Sequence, residues 1–447
     1  IIQIWVVIMA ANDPVQYEKF LIESSDGNTT VDITQGVVFF AYFENIFSPH
    51  LTAKVEIVNT GNTVAGVDGK MTSLYNGLPI SGGERVVIKL SGNSATNKGL
   101  DFAGSPSKYF YVSSVTNVAI DAERESFLLN LVSREALTNE TTRVGRKFPA
   151  SQKISDTVRE ILKKYIKTEK KIKIDGTMNK YGFIGNLKKP FSLITWLASK
   201  SVSENNKKSA GFLFYETQFG YNFSSVDDLI SKSPHPNEYS YSPGIVDKFD
   251  TKKDFRIIDV NSGNIDLLEK LQRGAFASQR FYINPVSFKV NKKTKFVGSD
   301  YQDSIPNLGD KMIKFFSFDD KGKNISELPS RIFSAVLDVG TIERNADDTG
   351  WDDASQRNAD PARIHSQAMV RYQQLKSEVL SIQIPVNMNL TAGTVIRCNF
   401  PRIDLEKRKQ ADETQSGLYM ITKICHFFNK NQSVSQIEMV RDTKGRK

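Results

Sequence analysis

The chain has 447 residues, of which 24% are charged and 39% are hydrophobic. These are the proportions of an ordinary globular protein, and the 28 glycines and 15 prolines are too few for a low-complexity or collagen-like chain. This length allows about two to four domains. The two cysteines, Cys398 and Cys425, fall on neighbouring predicted strands. We expect both to be reduced thiols, as in proteins made in a cytosol.

The net charge of +9 is spread unevenly along the chain. Residues 143–208 contain 17 Lys and Arg against 5 Asp and Glu, so a basic module lies within an otherwise near-neutral protein. Such a module indicates either contact with an acidic partner, nucleic acid or membrane surface, or a lysine-rich face that is merely solvated. The segment shows no aromatic-interleaved basic motif or known nucleic-acid module.

The N-terminal segment, residues 1–19, begins with the apolar stretch Ile1–Ala11. This stretch is too short to cross a bilayer and has no charged residues before it, so it predicts neither a membrane span nor a signal peptide. We interpret Met9 as the natural start and Ile1–Ile8 as an artefact upstream of it. The alternative is a strand or plug that docks on a partner.

A first small β-barrel is predicted for residues 20–142, because short apolar stretches alternate there with turn sequences. In one of them, residues 51–57, apolar and polar side chains alternate strictly. The predicted strands are Phe20–Ser25, Val37–Phe43, Leu51–Ile57, Val86–Leu90, Tyr109–Val115 and Ser126–Ser133.

The last seventy residues repeat the same pattern. Phe110–Val115 matches Tyr419–Ile424, and Leu129–Val132 matches Ile437–Val440. The spacing within each unit also agrees, because Phe110 and Leu129 are 19 residues apart and Tyr419 and Ile437 are 18 residues apart. We interpret this as a second, similar β-barrel and expect Tyr111 and Tyr419 to occupy comparable buried positions. Its strands are predicted at Ser377–Ile384, Thr391–Arg397, Gly417–Ile424 and Val434–Val440.

Between the barrels, residues 143–235 predict a basic α+β insert. A helix is predicted over 154–166 with Ser155 as its N-cap, and a second helix from Pro190 to about Val202. A hairpin follows, with its turn at Gln218-Phe219-Gly220. The rest of the chain is assigned as 236–290, the start of the second β-barrel; 291–360, an irregular insertion; and 361–447, the remainder of the second β-barrel, opened by a helix over 362–375.

The sequence presents no catalytic, cofactor-binding or metal-binding residues. None of the four histidines lies at a zinc-ligand spacing from another histidine or a cysteine. His426 follows Cys425 on a strand, so their side chains point to opposite faces. The acidic loop 347–353 lacks the spacing of a calcium loop. Phosphate-loop, dinucleotide and hydrolase motifs are also missing.

Several loose motifs follow one another in a particular order along the chain. They are Val379–Pro385, Leu390–Ile396, Ser416–Ile421, His426-Phe427 and Glu438–Asp442, with Trp196-Leu197, Gly211–Thr217, Leu271, Gly274, Phe276–Ser278 and Asn284-Pro285. In this order they together resemble one family, the baseplate hub proteins of contractile-tailed bacteriophages, which are related to the N-terminal part of type VI secretion spike proteins. The resemblance covers roughly residues 20–290 and 360–442, without spike repeats or a lysozyme-like segment.

The resemblance implies a structural virion protein rather than an enzyme, made in the host cytoplasm. Three copies, each with two barrels, would form a pseudo-sixfold ring that adapts the sixfold tail tube to the threefold central spike. Its partners would be further copies in a homotrimer, the tail tube protein, the spike protein and other baseplate proteins, with DNA passing through the lumen without specific binding. The alternatives are a basic module that binds nucleic acid or anionic surfaces, and a tail-associated wall hydrolase.

Overall fold

The computed structural model describes residues 12–60, 64–65, 70–78, 80–121, 123–205, 210–241, 255–263, 267–283, 288, 294–297, 306–310, 319–320, 323–324, 327–336, 361–402 and 411–445. The predictions for Met9 and for the acidic loop 347–353 lie outside these residues. Within them strands predominate, and the predicted mainly β fold is confirmed.

The N-terminal unit contains strands β1–β10. Its main ladder runs β2-β1-β7-β9-β10-β4-β3, with β8 beside β7, and β5 and β6 form a separate pair. Alternation in β4 produces its core face, because Ala53, Val55 and Ile57 are buried and Lys54 is exposed. The elements are β1 (Tyr17–Glu23), β2 (Thr30–Asp32), β3 (Val37–Asn45), β4 (Thr52–Asn59), β5 (Val64–Ala65), β6 (Met71–Thr72), α1 (Leu74–Gly77), β7 (Arg85–Ser91), β8 (Gly99–Asp101), β9 (Phe110–Ile120) and β10 (Glu125–Ser133).

The insert has a hydrophobic core of its own, formed by its helices and the sheet β12-β15-β14. Helix α2 (Arg134–Thr141) leads from β10 into the insert. The elements of the insert are β11 (Lys147–Phe148), α3 (Ile154–Glu160), which continues as a π-helix over Ile161–Ile166, β12 (Ile172–Ile174), β13 (Phe183–Ile184), α4 (Pro190–Ala198), β14 (Phe212–Thr217), β15 (Gly220–Ser225) and α5 (Val226–Ile230).

Two helix-end predictions in the insert are wrong. Ser155 is not an N-cap, because Lys153 occupies that position and the N–H of Ser155 donates to Thr177 Oγ1 at 2.9 Å. The second helix ends at Ala198 rather than near Val202. There the chain leaves the helix because the side chain of Asn179 accepts the N–H of Val202 at 3.0 Å.

The C-terminal part contains a second strand unit with a separate core. Its ladder runs β24-β27-β26-β25-β16-β17, and β18, which follows β17 directly in the chain, pairs back onto β24. The elements are β16 (Glu238–Tyr241), β17 (Arg256–Ile257), β18 (Asp259–Ser262), α6 (Leu267–Gln272), β19 (Ala277–Ile283), β20 (Thr294–Val297), β21 (Asp319–Asp320), β22 (Lys323–Asn324), β23 (Arg331–Val336), α7 (Pro361–Gln374), β24 (Glu378–Pro385), β25 (Val395–Asn399), β26 (Gly417–Asn429) and β27 (Ser433–Arg441).

The thirteen-residue strand β26 joins the two units into one 15-stranded sheet. Its first residues pair with β25, and its residues from Lys423 onward pair with β3 on the same edge. A register shift against β27 falls at this change of neighbour. Tyr419 accordingly packs in the C-terminal core and Phe428 in the N-terminal core.

One domain assignment in the C-terminal part is wrong. The sequence places residues 277–283 at the start of the second barrel, but β19 pairs with β20 and β23 in a separate three-stranded sheet beside α7. The segment 291–360, predicted to be irregular, contributes the short strands β20–β23 among its described residues.

In the match of Phe110–Val115 to Tyr419–Ile424, the residue that corresponds to Tyr419 is Phe110 rather than Tyr111. Tyr419 is fully buried, whereas Tyr111 is only half-buried and the adjacent Phe110 is buried in the N-terminal core. The expectation that Tyr111 and Tyr419 are comparably buried is therefore wrong, because successive strand residues point to opposite faces.

Candidate functional surface on the joining sheet

The face of the joined sheet that points away from the cores carries two rows of side chains in cross-strand register. The first row crosses six strands and the second crosses five, so they form one continuous surface over both units. The first row is Asp259, Gln383, Gln436, Cys425, Phe43 and Thr52; the second is Asn261, Ser381, Glu438, Lys423 and Asn45.

These rows line a trough of about 560 Å³, which His50 and Ser48 border on the side of β4. Lys423 is the one lysine or arginine among its described lining residues, and its Nζ lies 2.8 Å from a carboxylate oxygen of Glu438. Burial lowers the pKa of His50, so this imidazole is largely neutral at pH 7. The trough is thus polar, with carboxylates in excess over cations.

Below the trough, the carboxylate of Glu44 joins three parts of the chain. Its Oε1 accepts the hydroxyl of Tyr42 at 2.5 Å and the N–H of Gln218 in the insert hairpin at 2.8 Å. Its Oε2 accepts the N–H of Ala392, between β24 and β25, at 2.9 Å. Burial raises the pKa of Glu44 to about 7, although these three hydrogen bonds oppose the increase. The nearby Glu216 adds a smaller increase through charge repulsion.

Next to Ala392, position 393 requires glycine. Gly393 has a φ of +85°, and a Cβ there would lie 2.4 Å from the buried hydroxyl of Tyr215. Gly83, which precedes β7, has a φ of +92°, and the space that a Cβ would occupy there is open. Both substitutions force a side chain into the left-handed region, but only Gly393→Ala also creates a clash.

We expect Gly83→Ala to destabilise the protein by about 1 kcal/mol and Gly393→Ala by about 2 kcal/mol. Urea unfolding of both variants measures the difference. Equal losses would contradict the close approach of Tyr215 to the β24–β25 connection.

A second buried joint has Arg371 of α7 at its centre. Its guanidinium donates to Asp227 of the insert at 2.6 Å, to Asp442 after β27 at 2.7 Å, and to the carbonyl of Pro306 at 2.8 Å. Arg371 and both aspartates are almost completely buried. This joint fixes the insert, α7 and the C-terminus together.

Many basic side chains of the insert have acidic neighbours. Lys170 is buried between Glu135 and Glu216 at 2.8 and 2.6 Å. Five further cations of the insert form more exposed ion pairs. The pairs are Arg146–Glu160, Lys153–Glu204, Arg159–Asp156, Lys164–Glu160 and Lys189–Glu140.

His426 and Cys398 are buried in the cores, whereas Cys425 lies on the trough face of the sheet. His426 is buried, stacks on Tyr42, and shares a hydrogen bond of 2.8 Å with Ser435 Oγ. Burial lowers its pKa to about 3, so the ring is neutral at pH 7. Cys425 is free and half-buried in the trough, and the free thiol of Cys398 lies 3.8 Å from the sulfur of Met439 in the core.

The described residues bring together no group of three or more histidine, cysteine or acidic side chains suited to a metal ion. In the same part of the chain, no helix has the length and apolar character needed to cross a membrane.

The fold defined by these units and their joining sheet is that of phage tail proteins. The 43 kDa tail protein of prophage MuSo2 from Shewanella oneidensis superposes with a TM-score of 0.52 at 12% identity, covering 95% of this chain and 98% of that one. The tail protein from Neisseria meningitidis MC58 gives a TM-score of 0.50 at 8% identity, covering 95% and 97%.

By sequence, the chain is similar to a baseplate hub protein. It is 20% identical to the "Probable baseplate hub protein gp334" of Vibrio phage KVP40 in an alignment of 300 residues, which covers 65% of this chain. The alignment spans 66% of that relative, just under two thirds of its length. No family model matches the chain. The predicted resemblance to baseplate hub proteins is confirmed, because the chain is similar in sequence to one such protein and in fold to tail proteins.

Proposed function

We propose that the chain is the structural hub of a phage baseplate, a virion component without a catalytic role that is made in the host cytoplasm. Three copies would form a ring that adapts the sixfold tail tube to the threefold spike. The observation that carries this proposal is the joining sheet, in which two strand units with separate cores continue into one another through β26. A trimer of such chains presents six similar units to a hexameric partner.

The two units are proposed as the two small barrels. The C-terminal unit supports this, because the segment from β17 to β18 pairs with β16 on one side and with β24 on the other. The N-terminal unit keeps its proposed range of 20–142 and the insert 143–235. The proposed C-terminal unit includes β16–β18 and β24–β27 but not the separate sheet of β19, β20 and β23.

The polar trough is proposed as part of the channel wall. Its surface crosses from one unit to the other, as the wall of a ring requires. Lys423 of the trough is paired with Glu438, so a passing DNA phosphate would have to displace this carboxylate before it could bind the lysine. The surface would therefore let DNA pass without holding it.

Electron microscopy of gold-labelled protein tests both proposals. In a Cys425→Ser background, Ser381→Cys carries the label in the trough, and Lys163→Cys carries it on the exposed side of the insert as the matched control. We expect threefold rings with the Ser381→Cys label at the inner rim and the Lys163→Cys label outside it. Particles without a ring would contradict the hub, whereas rings labelled at the outer rim by Ser381→Cys would contradict the channel wall alone.

A further inference from the structure

The insert presents a two-stranded ribbon of β11 and β13 whose outer face is both apolar and basic. Lys147 pairs with Ile184, and Val144 bridges to Lys188 across the sheet. The turn that follows Ile184 on the β13 side is closed by the N–H of Lys188, which donates to the carbonyl of Gly185 at 3.0 Å. Phe148 and Phe183 point inward and stack with ring centroids 4.7 Å apart. The inner face is therefore fixed by the core, and the outer face is left to solvent.

The turn holds a leucine in an unfavourable conformation and exposes it. Asn186 and Leu187 have φ values of +49° and +54°, a region that leucine rarely adopts. The side chain of Leu187 is 67% exposed, and that of Ile184 is 51% exposed. Backbone strain combined with apolar exposure is typical of a contact site rather than of a surface turn selected for stability alone.

Cations surround these two apolar side chains. Arg143, Lys147 and Lys188 are all exposed, and Lys188 lies 5.4 Å from the ring of Trp196. We call Arg143, Lys147, Ile184, Leu187 and Lys188 the basic ribbon. A partner that fits it needs an apolar projection with adjacent carboxylates.

The chain carries such a projection at the turn between β9 and β10. Val118 is 43% exposed and Ile120 is 61% exposed, and the exposed Asp121 and Glu123 follow directly. Hydrogen bonds from the N–H groups of Glu123 and Arg124 lower the pKa of Asp121, which stays ionised at pH 7. Arg124 lies 3.5 Å from Asp121 and balances one of the two carboxylates, so the turn keeps an excess of one negative charge from Glu123. We call Val118, Ile120, Asp121 and Glu123 the acidic tip.

Two further features suit the acidic tip to binding. In the described residues, β7 pairs with β9 only at Phe110 and Tyr111, which leaves the later part of that edge of β9 without a strand neighbour. Its sequence from Phe110 to Ile120 contains no charge or proline that would discourage pairing with another chain.

Strand β10 and helix α2 separate the acidic tip from the basic ribbon along the chain. The nine residues of β10 lead away from the tip, and the eight residues of α2 follow before the ribbon begins. At about 3.3 Å per strand residue, β10 alone spans about 30 Å. At about 1.5 Å per residue, α2 spans only about 12 Å, so even a helix running back along β10 leaves the ribbon well away from the tip of its own chain. A head-to-tail contact between copies is the arrangement that joins these complementary surfaces and permits ring closure.

We propose that the acidic tip of one copy binds the basic ribbon of the next copy. Leu187 and Ile184 pack against Val118 and Ile120, and Lys147 and Lys188 face Asp121 and Glu123. This contact rests on the proposed homotrimer and assigns one of the surfaces that hold it together.

Charge reversal with rescue tests this contact on the full chain, with mass measured by light scattering and sedimentation over a range of protein concentrations. The double variants Lys147→Glu/Lys188→Glu and Asp121→Lys/Glu123→Lys should each weaken association at least about a hundredfold. The quadruple variant should recover association, because both surfaces are reversed together. Leu187→Asn should weaken association without destabilising the monomer, since asparagine tolerates the left-handed conformation.

The control Lys163→Glu/Lys167→Glu makes the same charge change on exposed lysines of the insert outside the ribbon, and association should be unchanged. Rings that persist in both double variants would overturn this contact and leave the hub proposal standing. A quadruple variant that stays dissociated would also overturn it. Wild-type protein that remains monomeric at every concentration would overturn the contact and the homotrimer together.

Discussion

Replacing Arg371 with alanine is expected to destabilise the protein by about 3–5 kcal/mol. The substitution removes the cation and leaves the carboxylates of Asp227 and Asp442 buried without it, and it also removes the donor to the carbonyl of Pro306. Uncompensated buried charge costs far more than an exposed one, because the interior cannot solvate it. Urea unfolding at pH 7 measures the loss.

Arg273→Ala is the matched control, because Arg273 and Glu269 form an ion pair whose side chains are about half exposed. Its expected cost is below about 1 kcal/mol. The triple variant Arg371→Met/Asp227→Asn/Asp442→Asn should regain part of the stability lost in Arg371→Ala, because it buries no charge at this position. A triple variant less stable than Arg371→Ala would show that the ion pairs are net stabilising.

The second large effect is a loss of stability with rising pH that originates at Glu44. Its folded-state pKa of about 7 lies above the ordinary value of 4.5, mainly because of burial. The folded state therefore binds this proton more tightly than the unfolded state. The stability that Glu44 contributes is fully present below pH 4.5 and is lost as the pH rises through 7, by about 3 kcal/mol in total.

Glu44→Gln should remove this contribution, because glutamine resembles the protonated side chain. We expect the variant and the wild type to be similarly stable at pH 5, and the variant to be more stable at pH 8. Glu438→Gln, at a partly exposed ion pair on the same sheet, is the control and should not reproduce the gain in stability at pH 8. A Glu44→Gln variant less stable than wild type at pH 8 would mean that the hydrogen bonds from Tyr42, Gln218 and Ala392 outweigh the cost of burying the charge.

The strand framework was predictable from sequence because each strand has one face in a core. Leu380, Ile382 and Ile384 are buried as their alternation predicted, and β4 follows the same rule. Such local periodicity determines which face is buried, but it carries no information about the neighbouring strand. The assignment of 277–283 failed for this reason, since β19 is an extended strand that pairs elsewhere.

The polar trough and the buried joints could not be predicted from sequence. Glu44 and Ala392 are 348 residues apart, and Arg371 and Asp227 are 144 residues apart. Nothing in the local pattern distinguishes Glu44 from an exposed strand glutamate. The trough likewise depends on the register of six strands. In the sequence, each of its polar residues has the pattern of an ordinary solvent-facing strand position.

The shared strand β26 also determines how the molecule responds to mechanical load. Seven consecutive residue pairs connect its second half to β3. Twisting one unit against the other must shear these pairs together and pull Phe428 out of the N-terminal core. No flexible linker separates the units along this strand, so an axial pull on one unit is transmitted to the other through hydrogen bonds loaded in parallel. The two units would therefore move as one rigid body under load rather than as two independently moving domains.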